Sequence, residues 1–248
     1  MMTHAAPTPW SEWLVAALRR PVHGADRERA TLHLIDWLGC AHLGQTTELG
    51  AVLQRWAQAQ APGPIWVCGH PGLQAAEATR WHGALGSCHE MDDVHREAVV
   101  HPGDTVIPAV LAMAQRENAS PEALLDAVVV GYETAIVLGL LSGPAHYAQW
   151  YSTATTGVFA SAMACARLLK LDATQTQHAL SLAGILPRVP LRLIVVSDEE
   201  VGSPSGREAI LEVAPGAAYA LGVLHALYGV ERDAATLARR ACEAAIAF

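Results

Sequence analysis

Residues 120–141 read SPEALLDAVVVGYETAIVLGLL. Ser120 is placed to cap a helix, and Pro121 stands at the first helical position, where its missing N–H is no loss. The stretch behind them is apolar almost throughout and predicts a helix running to about Leu141. Ser142-Gly143-Pro144 then breaks the chain.

The segments upstream read the same way. Residues 10–20 carry Trp13, Leu14, Ala17 and Leu18 at helical spacing and end at Pro21. Residues 26–43 form a stronger helix, in which Ala30, Leu32, Leu34, Ile35, Leu38 and His42 make a stripe broad enough to be buried on more than one side. Gly44 is placed as its C-terminal cap. Helices are also expected at 49–59, 73–85 and 105–115, with Pro108 tolerable only in a first turn. The apolar run Ile65-Trp66-Val67-Cys68 reads as an extended connector, with a short strand as the alternative.

Downstream, residues 152–171 are rich in Ala, Gly and Ser. Gly157, Ala160, Ser161, Ala164 and Ala166 would let a neighbouring helix approach closely. A helix follows at 172–184. Residues 185–206 hold three prolines and the β-branched run Ile194-Val195-Val196, and read as an irregular loop or short strand insertion. Helices at 207–228 and 233–247 close the chain. The expectation is an all-α fold, one helical domain over residues 1–248 with roughly nine or ten helices.

Composition narrows the function classes. Hydrophobic residues make up 52% of the 248 and charged residues 16%, which suits a large core and argues against disorder. The net charge is −8 and no basic cluster exists, so nucleic acid is a poor partner. No apolar run is expected to span a bilayer, and no secretory leader is read at the start. The five cysteines are scattered without a CxxC pair, which fits free thiols in a reducing cytoplasm. Lys170 is the single lysine, so a mechanism that needs a lysine must use it or do without.

The ionisable chemistry concentrates in residues 89–103, HEMDDVHREAVVHPG. His89, His95 and His101 stand there with Glu90, Asp92, Asp93 and Glu97. Gly86-Ser87 before the stretch and Pro102-Gly103 at its end mark it as a polar loop between helices, where binding and catalytic groups gather. Two carboxylates and a histidine suit general acid–base catalysis, with His101 as the proton carrier and Asp92 or Asp93 orienting it. A plainer reading makes Asp92 and Asp93 helix caps and has His101 satisfy buried backbone groups. A metal site is a third: His89, Asp92, Asp93, His95 and His101 are all donor types, but their spacing matches neither HExxH nor a zinc ribbon.

Several short motifs in one order resemble a known family. Asp92-Asp93-x-His95, His101-Pro102-Gly103, Pro108-Ala109, Gly131-Tyr132-Glu133, Thr153-x-Thr155-x-Gly157-x-Phe159-Ala160 and Ala179-Leu180-x-Leu182-Ala183-Gly184 resemble the successive blocks of the MmgE/PrpD proteins from about residue 10 to 184. That family includes 2-methylcitrate dehydratase, cis-aconitate decarboxylase and iminodisuccinate epimerase. The resemblance implies a helical domain, a homodimer formed through it, and proton transfer beside a carboxylate of a small polycarboxylate. It implies no metal and no cofactor. It also implies a smaller α+β lid, which this chain is expected to lack and which a separate protein could supply.

Carried across residue by residue, the family's first loop acid falls on Glu90, its Asp pair on Asp92 and Asp93, and its loop histidine on His101. Val94 takes the place of a threonine, Tyr151 that of a histidine, and Leu211 and Ala214 those of a lysine and a histidine. Ile136-Val137-Leu138 replaces an arginine. The expected catalytic residues are His101, Asp92, Asp93 and Tyr151. Glu90, His95, His146 and Thr153 are the expected substrate-binding ones. Two functions from different classes follow: a lyase or isomerase, or a helical domain that has lost the chemistry and serves as a dimeric binding or structural partner. A metal-dependent hydrolase using the His/Asp loop is a third and weaker one.

Overall fold

The computed structural model describes residues 10–185. The expected segment 185–206 beyond its first residue, the helices expected at 207–228 and 233–247, the positions Leu211 and Ala214, the arginines Arg188, Arg192 and Arg207 that could supply positive charge to a site, and His225 and Glu231, read as ordinary helix surface or core, lie outside the described residues. Within them the order is α1 (Trp10–Leu18), α2 (Gly24–Gly44), α3 (Glu48–Gln58), β1 (Pro62–Val67), β2 (His70–Leu73), α4 (Ala75–Gly86), α5 (Pro102–Arg116), α6 (Pro121–Tyr147), α7 (Ser152–Leu168) and α8 (Ala173–Ile185). All eight helices expected between residues 10 and 184 are present.

The fold is predominantly helical rather than all-α. Residues 62–73 form an antiparallel hairpin, not a connector. Gly69 (φ 76°) and Gly72 (φ 86°) take left-handed backbone, which lets so proline-rich a segment turn back on itself. The pairing is irregular, and α5 completes it: Gln115 accepts from the Trp66 N–H at 2.8 Å and donates to the Trp66 carbonyl at 3.3 Å. A side chain thus serves where a third strand would.

The core is built on α6, which packs along α7, with α5 lying against both and α4 beyond α5. Small residues set these approaches, as the sequence of α7 predicts. A Cβ on Gly157 would meet Thr105 at 2.5 Å, and one on Gly131 would meet Val106 at 2.4 Å. Ala160 and Ala164 are fully buried. Ser120 caps α6 by accepting the Ala123 N–H at 3.3 Å. The helix breaks at Gly143 (φ 67°, ψ −178°), the backbone region reserved for glycine, just before Pro144.

Three expectations need correction. By length and composition α6 is apolar enough to cross a bilayer; half of the stretch that meets this test is buried inside the protein, where the core needs it. Leu32 and Ile35 on α2 are 61% and 60% exposed, so that helix buries one face, around Ala30, Trp37, Cys40 and Ala41, and not several. Gly44 is not a left-handed cap. It closes α2 where a Cβ would strike the Leu85 carbonyl at 2.2 Å, so its smallness serves close packing with α4.

Candidate active site

The loop between α4 and α5 folds back on itself through an isolated bridge. The His95 N–H donates to the Val100 carbonyl at 2.9 Å. Ala98 and Val100 of this turn press onto Gly139 of α6, where a Cβ would come within 2.8 Å of Ala98. Glu90 and Val99 adopt positive φ (52° and 50°), the strained points at which the chain reverses. The loop then delivers His101 to the N-cap of α5.

α5 starts at Pro102, a turn earlier than its sequence suggests. Proline at N1 is preorganised for a helix, and the Gly103 N–H is satisfied by Asp93 Oδ1 at 3.1 Å. Asp93 therefore does cap a helix, as the plainer reading has it. Pro108 consequently falls in the helix interior, where the Asp104 carbonyl loses its usual partner.

Asp92 plays a different part. It is 8% exposed, and its Oδ2 is bonded by Nδ1 of His101 at 2.7 Å. The His101 backbone N–H donates to Thr153 Oγ1 at 3.0 Å, which ties the loop to the first turn of α7. The structure thus brings together His101, Asp92, Asp93 and Thr153. Tyr151 occupies the N-cap position of α7, two residues before Thr153, without a capping bond from its side chain. His146 lies close by in sequence but bonds Thr155 through Nε2 at 2.7 Å. His95 is turned into its own loop, its Nδ1 accepting from the Ala98 N–H at 3.2 Å. Glu90 is exposed, as is Val94, the residue without the hydroxyl.

Three residues not expected at the site complete the cluster, of which Tyr132 is read in the sequence only as part of the Gly131-Tyr132-Glu133 motif. His33 of α2 sets Nδ1 2.6 Å from Asp93 Oδ2, and its ring lies 4.9 Å from that of Tyr132. Tyr132 stands beside Asp93, and burial first, then the Asp93 charge, pushes its phenol well above the usual range. Asp104, three residues past His101, is 4% exposed and within hydrogen-bonding reach of Asp92. Burial, then the neighbouring Asp92, raises its carboxyl well above the ordinary carboxylate range. One signal for Asp104 was available: a helix begun at Pro102 puts residue 104 in its first turn, under His101.

Among the described residues no group of three or more His, Cys, Asp and Glu is arranged to hold a metal ion. Lys170, the single lysine, lines a cavity of about 220 Å³ with Arg19 and Arg167 at the far end of α7. At 1.5 Å per residue that is roughly 20 Å from Thr153. The lysine is therefore not part of this cluster. Cys88 adjoins the loop, but burial lifts its thiol to about 11 and its Sγ donates to the Ala84 carbonyl, so it makes a poor nucleophile.

The model of the MmgE/PrpD N-terminal domain matches residues 11–192. This chain belongs to the MmgE/PrpD family. The cis-aconitate decarboxylase of Aspergillus terreus, and that of its strain NIH 2624 / FGSC A1156, are each 29% identical to it over 172 residues. The matched segment covers 63% of this chain and 34% of the decarboxylase, so the chain spans about a third of the curated relatives it matches. The expected family and the expected extent of the resemblance both hold.

Proposed function

We propose that this MmgE/PrpD protein transfers a proton at a carbon next to a carboxylate of a small polycarboxylate, with His101 as the proton carrier. The single observation that carries this is the bond from His101 Nδ1 to the buried Asp92. A carboxylate behind one imidazole nitrogen fixes the tautomer and strengthens the other as a base. With Nδ1 committed, exchange with substrate falls to Nε2. The C–H proton passes to Nε2 and the electron pair spreads into the substrate carboxylate. Return of the proton gives isomerisation; loss of a group from the neighbouring carbon gives a lyase. Tyr151, at the start of α7, is the second proton donor, and Thr153 holds the His101 backbone in register. Glu90, His95 and His146 are the proposed substrate contacts, His95 and His146 having to exchange their present bonds to Ala98 and Thr155 for substrate. The relatives' name makes cis-aconitate the first compound to try, with citrate and 2-methylcitrate beside it.

The test is exchange of substrate α-protons in deuterated water, followed by proton NMR on the full chain. The expected result is loss of the α-proton signal of at least one of the three acids, slowed 10²-fold or more in His101→Ala, the order a general base supplies. Bound acid should also raise the melting temperature. No exchange and no thermal shift with any of the three would overturn the proposal.

A second reading rests on a separate observation. Leu32, Ile35 and Leu43 line one exposed face of α2, and Leu140, Leu141 and Trp150 are exposed on and after α6. Such apolar surface suits a partner, either a second copy of this chain or a separate lid protein. In this reading the chain is a cytoplasmic binding or structural subunit. Co-purification of a lid-type partner would favour it.

A further inference from the structure

We propose that Asp104 is a positioning residue for His101: its carboxyl group donates a hydrogen bond to Asp92, and the two acids share a single proton behind the imidazole. This deepens the reading of His101 as the proton carrier and rests on it for its functional meaning.

The placement carries the argument. Asp104 sits in the first turn of α5, three residues after His101, and is 4% exposed. The carboxyl group is within hydrogen-bonding reach of Asp92, and its buried Oδ1 has no hydrogen-bond partner among the described residues. That oxygen is pressed over Gly86, where a Cβ would stand 2.4 Å from it and 2.5 Å from Trp37 Nε1. Gly86 therefore makes the room that Asp104 occupies. The ionisable groups that face Asp104 are Glu90, Asp92 and Asp93 from the loop, Cys40 from α2, Cys88 after α4 and Tyr132 from α6. None is a cation. A second ionised carboxylate there would be buried and next to other negative charge, which is strongly unfavourable. A neutral carboxylic acid has a proton to give, and Asp92 is the acceptor in reach. Asp92 is then held from both sides, by His101 and by Asp104, so the imidazole plane is fixed. The hydrogen bond also draws charge from Asp92 and restrains the basicity it confers on His101.

The experiment needs no substrate. Infrared difference spectra of the wild type against Asp104→Asn at neutral pH should contain the carbonyl stretch of one protonated carboxylic acid, shifted in deuterated water. The His101 imidazole should be followed by NMR in parallel. Asparagine is neutral and still donates, so Asp104→Asn should leave the His101 midpoint unchanged. Asp104→Leu has no donor, and its midpoint should rise by about one unit. Absence of the acid band, or a midpoint lowered by one unit or more in Asp104→Asn, would mean that Asp104 is ionised and would overturn the proposal. If Asp104→Leu does not fold, the band and the asparagine variant decide alone. Failure of the proton-exchange assay with these signatures intact counts against the function only; loss of the signatures with turnover retained counts against this inference only.

Discussion

His82 shows how a single buried residue makes the fold sensitive to acid. Its ring packs edge-on to Trp37 at 5.4 Å, and its Nε2 accepts the Cys68 N–H at 3.1 Å. That bond needs an unprotonated Nε2, and burial pulls the imidazole down to about 4. The unfolded chain titrates near the ordinary value of 6.5. Since the folded value is the lower one, the unfolded state binds more protons between the two. The stabilisation is fully present above about 6.5 and is lost as the pH falls through 4. The size is on the order of 3 kcal/mol. In His82→Gln the amide oxygen replaces the acceptor without titrating, so urea unfolding between pH 6.5 and 4 should show a flatter loss than the wild type. Equal slopes in the two proteins would rule out His82 as the source. At this scale the sequence was legible where chemistry clustered along the chain. Asp92 and His101 stand nine residues apart and meet, because a turn folds between them. His33 and Tyr132 were not legible, because their relation to Asp93 is made only when α2 and α6 pack.

At the scale of elements, glycine does two opposite things in these helices. On α7, Gly157 faces Thr105, whose β-branched side chain is stiff at χ1 and cannot swing aside. Gly157→Val should therefore part α5 from α7 and cost about 1–3 kcal/mol in denaturant unfolding. The same change should weaken the His101-to-Thr153 bond, which spans those two helices. On α2, Gly39 has nothing within 4 Å of a Cβ. Within one chain the residue only lowers helix propensity, and Gly39→Ala should stabilise the helix by about 1 kcal/mol where no partner covers this face. Helix positions were readable from apolar spacing and from caps such as Ser120. The hairpin was not, because prolines at 62, 64 and 71 and glycines at 63, 69 and 72 read as breakers. What holds it is distant: Gln115 clasps Trp66, and Trp81 Nε1 donates to the Cys68 carbonyl at 2.9 Å. The start of α5 was missed for a related reason, since Pro102-Gly103 serves as a first turn when Asp93 caps it.

For the whole molecule the open face of α2 carries the strongest consequence. Leu32, Ile35, Gly39 and Leu43 follow one another at steps of three and four, a continuous apolar strip, while His33 on the adjoining face reaches Asp93. Surface of this kind in a chain with this large an apolar fraction is normally covered. A self-complementary helix face is what a two-fold dimer uses. We therefore expect a homodimer, with an interface of at least about 1,200 Å² in total. Sedimentation equilibrium on the full chain should give twice the monomer mass, and Leu32→Glu with Ile35→Glu should return it to one. Because His33 and the strip share a helix, the monomeric variant should also loosen the Asp93 side of the cluster. Its α-proton exchange should then fall, although neither substituted residue touches substrate. A wild type of monomer mass that loses thermal stability on the double substitution would instead put the strip beneath another part of the same chain. A monomer indifferent to both charges would leave the face as plain solvent-exposed surface.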